Sequence, residues 1–242
     1  MDNLGVVLWL PGGGWRGRST EDGSALAEHG LTVVQGSYRL ADEALWPAQL
    51  ADVRAAARQA RAQARAADLP FIVAGDSAGA HLALHLGLRG MAEPDAAPGG
   101  MVEPDDGPRS TAEPADVDAV LAFWPPVDPL TGQYRRARGG DDPWVGLIGH
   151  QPAADDPATV DSIPLTHVGN RVPVLLVHGT QDAAVPVGQT VTLTAALLQA
   201  GHPVHSLVTH GGHALDLDRA DIRAVIRAFL EDSLPLRVSG SG

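Results

Sequence analysis

The chain has 242 residues, of which 44% are hydrophobic and 19% charged, and its formal net charge at pH 7 is −12. That length and composition describe a globular protein able to bury one sizeable core, and the acidic balance sets it against phosphate backbones and anionic lipid, so we expect no nucleic-acid or membrane partner. Cysteine is absent and all 17 basic residues are arginine, which excludes disulfides, thiolate nucleophiles, lysine Schiff bases and the lysine of a phosphate-binding loop.

No segment approaches the roughly 18 apolar residues of a membrane span. Met1-Asp2-Asn3 lacks the basic region and apolar core of a signal peptide, so the expected location is cytoplasmic.

Residues 5–10 read as a buried strand ending at Pro11-Gly12-Gly13-Gly14. Ser19 to Asp22 signals a helix start, with the helix running to about His29 and stopping at Gly30. Residues 31–35 form a second strand. Pro47 opens a long helix to about Ala67, with Leu50, Val53, Ala57 and Ala60 at helical spacing. Arg54, Arg58, Arg61 and Arg65 are expected on its wet face.

Residues 71–74 are a third strand, short and wholly apolar as a parallel sheet requires. A helix follows from Ala78 to about Leu88. Residues 90–116 are dominated by Pro, Gly, Asp and Glu and read as an exposed acidic insertion. A fourth strand covers about 117–123. Residues 125–170 are Pro-rich and irregular, and a segment of that length inside a domain is expected to act as a lid or pocket wall. A fifth strand (173–177), a helix (187–200), a strand (203–209) and a last helix (219–232) complete the order. The terminal Ser-Gly-Ser-Gly, 239–242, reads as an appended linker outside a single domain of residues 1–238. Strands alternating with helices specify a mostly parallel sheet of about six strands, covered on both faces.

The strongest chemical signal is Gly75-Asp76-Ser77-Ala78-Gly79, a G-x-S-x-G sequence between a strand and a helix. The small flanking residues let neighbouring backbone approach a sharp turn, from which the serine projects beside a helix N-terminus. A serine needs a base and a group to orient that base. His178-Gly179-Thr180-Gln181-Asp182 follows the fifth strand and His210-Gly211-Gly212-His213 the sixth, both at C-terminal strand ends where open α/β sheets build sites. Ser77 is therefore expected as nucleophile, His213 as general acid/base and Asp182 as its orienting carboxylate. His210 is the rival base. Asp216 and Asp218 are rival acids that break the Ser–Asp–His order. Asp76 is expected to bond backbone as a turn residue. Gly13, Gly14 and Ala78 can supply the oxyanion N–H groups. Trp15, Trp124, Tyr134 and Trp144 are candidate walls of a substrate pocket or, alternatively, core. His81 and His85 sit four apart on one helix, but Leu82-Ala83-Leu84 between them lacks a zinc-protease glutamate, so packing is the expected role and no metal is expected.

Together these residues resemble the α/β-hydrolase fold from residue 5 to about 232. Gly-Asp-Ser-Ala-Gly, the Gly-Gly-Gly-Trp loop, Ser37-Tyr38-Arg39-Leu40-Ala41, Trp46-Pro47-Ala48 and Asp52-Val53-Arg54 resemble hormone-sensitive-lipase-like and bacterial feruloyl-esterase-like carboxylesterases. Trp124-Pro125-Pro126-Val127-Asp128-Pro129 with Tyr134-Arg135 resembles a segment of the latter group. The resemblance implies ester hydrolysis through an acyl-enzyme, acting on small to medium uncharged esters without a cofactor. An arylformamidase-like amidase or a catalytically silent binding module would share the same motifs. Two departures stand out. Pro11 occupies the place of a histidine that braces the oxyanion loop in these families, and the chain starts at what would be their third strand. The strand at 31–35 is thereby left near an edge, which we expect a homodimer to cover.

Overall fold

The computed structural model describes residues 3–90, 117–131, 142–168 and 170–234. The acidic segment at 91–116 and Tyr134 lie outside these residues. Six strands form the sheet: β1 (Gly5–Leu10), β2 (Leu31–Gln35), β3 (Phe71–Asp76), β4 (Ala119–Phe123), β5 (Val174–Gly179) and β6 (Val204–Thr209). Their order is β2-β1-β3-β4-β5-β6 and every pairing is parallel. β1, β3, β4 and β5 are buried along their whole length. This accounts for their apolar runs, interrupted only at the C-terminal ends by Asp76 of β3 and His178 of β5, since a parallel sheet is covered on both faces. Strand β2, at the edge, is only partly buried.

Alternate residues along each strand serve opposite layers. Val6, Leu8 and Leu10 of β1, with Phe71 and Val73 of β3, face one core. Against it pack α1 (Ala48–Ala66), through Leu50, Val53, Ala57 and Ala60, and α2 (Ala78–Arg89), which is buried almost throughout. Leu193 and Leu197 of α5 (Gly188–Gln199) join the same layer. Val7, Trp9, Ile72 and Ala74 face the other core, closed by Ile222, Ile226, Phe229 and Leu230 of α6 (Ala220–Ser233). Each such Val, Leu, Ile or Phe side chain contributes about 1.5–3 kcal/mol on full burial.

Three expectations change. The first helix begins at Ser24 instead of near Ser19 and is 3-10, because Ser19 is drawn into the preceding loop by a bond to Asp76. Arg54 and Arg61 are buried, at 4% and 7% exposure, while Arg58 and Arg65 remain exposed. The α1 stripe that appears polar in sequence therefore packs on one side along its aliphatic stems. Residues 125–170 are not irregular throughout. Among the described part, α3 (Pro143–Ile148), α4 (Pro157–Asp161) and a 3-10 turn (Pro164–His167) form short helices. The first two open on proline, with the preceding Asp142 or Asp156 side chain capping a backbone N–H.

This segment is fastened to α2 by an unusual pair. His81 and His85 both donate from Nε2 to the Ser162 carbonyl, at 2.7 and 3.1 Å. Their rings are fully buried among Trp15, Trp46 and Trp144. The expected packing role fits this placement. Among the described residues, no helix is long and apolar enough to cross a membrane.

Candidate active site

The strand order dictates where a site can form. From β1 the chain crosses outward to β2, then returns over β1 to β3. The order in which strands are added therefore reverses between β1 and β3, and the loops leaving their C-terminal ends diverge and open a crevice. The Gly-rich loop after β1 and the Ser77 turn after β3 flank that crevice.

Ser77 adopts φ 48° and ψ −117°, a left-handed strained conformation between β3 and α2. Such backbone costs on the order of 1–3 kcal/mol and persists only where its surroundings enforce it. Here the Ser77 N–H donates to Phe123 O at 2.9 Å and the Ser77 carbonyl accepts from His81 N–H at 3.1 Å. The turn also requires its glycines. A Cβ on Gly75 would lie 2.6 Å from the Gly79 carbonyl carbon, and one on Gly79 would fall on the Leu10 carbonyl oxygen.

The loops after β5 and β6 meet backbone to backbone. Thr180 N–H donates to Thr209 O and Gln181 N–H to Gly211 O, each at 2.8 Å. Arg219 fastens the second loop by donating to His210 O at 2.7 Å and to the Thr209 hydroxyl at 3.0 Å. These contacts bring Asp182 and His213 together. His213 Nδ1 lies 2.7 Å from Asp182 Oδ2, and His213 Nε2 lies 3.1 Å from Ser77 Oγ. A carboxylate only accepts, so Nδ1 carries the proton and Nε2 is left to accept from the serine hydroxyl.

Asp182 is shut away from solvent. Its Oδ1 accepts from Ala184 and Val185 N–H at 2.8 Å each, and its Oδ2 also faces His178 Nε2 at 3.2 Å. Burial pushes its pKa up, but the hydrogen bonds from His178 and His213, the His213 charge and the Val185 N–H outweigh burial and hold it well below the usual carboxylate range. His178 is thus buried behind the carboxylate, locked between Thr190 and Val185. The rivals lie elsewhere. His210 is exposed, Asp218 pairs with Arg223, and Asp216 accepts the Asp218 N–H.

In the loop after β1, the Gly12 carbonyl accepts from Ser19 N–H at 3.0 Å, and the Gly13 carbonyl from Arg16 and Gly17 N–H at 3.2 and 3.1 Å. A trans peptide sets its N–H opposite its C=O. Tying both carbonyls into the loop therefore turns the N–H groups of Gly13 and Gly14 outward. Gly13 needs its glycine for this, with φ 115° and no room for a Cβ beside Gly17. Ala78 N–H, at the first turn of α2, is an orphan donor of that helix.

The aromatic residues sit deeper than a pocket wall would. Trp15, Trp124 and Trp144 are each 1% exposed or less. Trp15 and Trp144 pack on each other at 4.9 Å between ring centroids and enclose His81, and Trp124 lies 6.2 Å from the His213 ring. Their area is spent on the core, with Trp124 supporting the His213 imidazole from its edge. Asp76 bonds backbone as expected, though the backbone is that of the neighbouring loop: it accepts from Gly12 N–H at 2.6 Å and from Ser19 Oγ at 3.0 Å. Sequence reasoning gave Ser19 and Tyr38 no role here. Tyr38 donates to the Pro11 carbonyl at 2.6 Å, and its place in Ser37-Tyr38-Arg39-Leu40-Ala41 was the available signal. Among the described residues, no group of three or more His, Asp or Glu side chains could hold a metal ion.

A parallel sheet crossed by helices, with Ser, Asp and His brought into register at its strand ends, defines the α/β-hydrolase fold with a serine triad arrangement. More particularly, the BD-FAE family model matches residues 1–197, and the chain belongs to that family. It is similar to two proteins of Mycobacterium tuberculosis. Esterase LipC is 31% identical over 196 residues, covering 76% of this chain and 46% of LipC. Esterase LipQ is 29% identical over 230 residues, covering 88% and 50%. The chain spans about half the length of these curated relatives. Among solved structures, a truncated carbohydrate esterase from gut microbiota matches 96% of this chain and 86% of its own with a TM-score of 0.73 at 24% identity. Esterase 2 of Thermogutta terrifontis, with propionate bound, matches 95% and 81% with a TM-score of 0.64 at 19% identity. These structures share the fold.

Proposed function

We propose that the protein hydrolyses carboxylic esters of small to medium uncharged substrates through an acyl-enzyme. The observation that carries this reading is the continuous Ser77–His213–Asp182 relay at 3.1 and 2.7 Å. His213 takes the Ser77 proton as Oγ attacks the acyl carbon, and the oxyanion that forms faces the N–H groups of Gly13, Gly14 and Ala78. His213 then returns the proton to the departing alkoxide. Water, deprotonated by the same imidazole, attacks the acyl-serine; the Oγ–acyl bond breaks, His213 passes the proton to Ser77 Oγ, and the acid is released. Asp182 stays ionised throughout and keeps the imidazole proton on Nδ1. The two esterase relatives support ester chemistry.

The test is hydrolysis of matched p-nitrophenyl acyl esters and formanilides by the wild type and by Ser77→Ala. The expected result is ester turnover exceeding anilide turnover, with the variant slower by about 10⁴- to 10⁶-fold. Equal ester turnover by the variant would overturn the proposal.

A further inference from the structure

The loop between β1 and the first 3-10 helix begins with a single peptide unit held at both ends. Its oxygen, the Pro11 carbonyl, accepts from the Tyr38 hydroxyl at 2.6 Å. Its nitrogen, the Gly12 N–H, donates to Asp76 Oδ1, also at 2.6 Å. Pro11, Tyr38 and Asp76 are all buried, Tyr38 and Asp76 at 3% exposure. Two other strands supply the holders: Tyr38 follows β2, and Asp76 is the last residue of β3, directly before Ser77.

A peptide plane with one bonded end can still rotate about its flanking dihedrals. One bonded at both ends cannot turn over without breaking the buried Tyr38 and Asp76 hydrogen bonds, together with the longer reach of Gly12 N–H to Ser19 Oγ at 3.1 Å. The next plane, Gly12–Gly13, is tied to this first one. Asp76 Oδ1 also accepts from Ser19 Oγ, and the Ser19 N–H in turn holds the Gly12 carbonyl, so one carboxylate oxygen governs two successive peptides. Residues 38–41 add a further tie, Ala41 N–H donating to Trp15 O at 2.7 Å. No side chain can stand at Gly12 in place of this contact, since a Cβ there would meet Asp76, including its backbone oxygen at 2.9 Å.

We infer that Tyr38 and Asp76 are positioning residues, which clamp the Pro11–Gly12 peptide from opposite ends and so aim the N–H groups of Gly13 and Gly14 at the oxyanion. The inference rests on the ester-hydrolase reading above. It accounts for the tolerance of proline at position 11, where no side-chain donor is available: the bracing group comes from Tyr38 and acts on the main chain. Burial also acts on the Asp76 carboxyl. It raises the carboxyl pKa to about 6, against the opposing pull of the Gly12 N–H and Ser19 hydroxyl.

The clamp makes a kinetic signature that a purely structural role would not. Donors aimed at the oxyanion act on the transition state more than on the bound ester, so their misalignment lowers kcat and leaves KM nearly unchanged. The experiment measures kcat, KM and the second-order rate of fluorophosphonate labelling for the wild type, Tyr38→Phe, Asp76→Ala and Asp76→Asn, with thermal midpoints recorded alongside. The expected result is a fall in kcat of about 10- to 100-fold for Tyr38→Phe and about 100- to 1000-fold for Asp76→Ala, with KM within about threefold and labelling slowed in parallel. Asp76→Asn should regain much of the loss, because its amide oxygen can still accept from Gly12 N–H. Wild-type labelling with unchanged kcat in Tyr38→Phe and Asp76→Ala would overturn the clamp while leaving the ester-hydrolase reading standing. So would losses confined to KM or to thermal stability. An inert wild type would overturn both.

Discussion

Replacing Asp182 with asparagine tests the triad through one atom. The carboxylate accepts four hydrogen bonds: Ala184 and Val185 N–H on Oδ1, His213 Nδ1 and His178 Nε2 on Oδ2. The amide of asparagine has one oxygen and one nitrogen, and the two ends of this site make different demands. Placing the NH2 toward Ala184 and Val185 would set it against two buried backbone donors, a conflict of about 1–3 kcal/mol each. Placing it toward the histidines conflicts less. His178 retains Val185 O at 2.9 Å as an alternative acceptor, and His213 can relieve the clash by moving its proton from Nδ1 to Nε2. The second arrangement should win, and it leaves His213 with a donor facing Ser77 where an acceptor is required. The expected outcome is a fall in kcat of about 10⁴-fold, equivalent to about 5 kcal/mol of activation free energy, with KM within about threefold. Steady-state hydrolysis of a p-nitrophenyl ester measures it, with circular dichroism to show that the variant is folded. A folded variant retaining more than about a tenth of wild-type kcat would refute the assignment of Asp182 as the orienting group.

Gly79→Ala is expected to abolish folding or expression of soluble protein, because its Cβ would occupy the position of the Leu10 carbonyl; a wild-type thermal midpoint would contradict the close approach of α2 to β1. Stability should fall on acidification through His81. Burial lowers its pKa from 6.5 to about 4, so the unfolded chain takes up its proton first. Its contribution is fully present above about pH 6.5 and is lost as pH falls toward 4, by an amount on the order of 3 kcal/mol. His81→Gln, which can still donate to Ser162 O without titrating, should show a flatter dependence of thermal midpoint on pH across that window. Parallel curves for the two proteins would show that His81 is not held neutral by burial. Arg219→Met should lower kcat by about 3- to 10-fold by releasing the His210 carbonyl and the Thr209 hydroxyl; an unchanged kcat would mean that the His213 loop holds itself.

The central strands were legible because each carries a short apolar run with glycine or proline close behind it, a pattern with few readings in a chain of alternating elements; the edge strands β2 and β6 mix polar and apolar residues and were read from their place in that alternation. The triad was legible because G-x-S-x-G, Asp182 and His213 each follow a strand and fall in a fixed order, so topology alone places them on one edge. What sequence could not show was depth. Trp15 and Trp124 follow strands and Trp144 lies within residues 125–170, positions that left pocket wall and core both open; packing around His81 and beneath His213 buries them. Arg54 and Arg61 follow a polar periodicity on α1, and only the tertiary structure shows that this stripe is covered. The clamp on Pro11–Gly12 was hidden for a different reason. Its members lie at or just past the ends of three different strands, 27 residues apart on one side and 64 on the other, and no local pattern links a tyrosine hydroxyl to a proline carbonyl.

The central claim is that Ser77 is an activated nucleophile, and covalent trapping tests it most directly. Intact-mass spectrometry after incubation with a fluorophosphonate should show a single adduct on the wild type and none on Ser77→Ala. An adduct persisting on Ser77→Ala, or none forming on the folded wild type, would contradict the account.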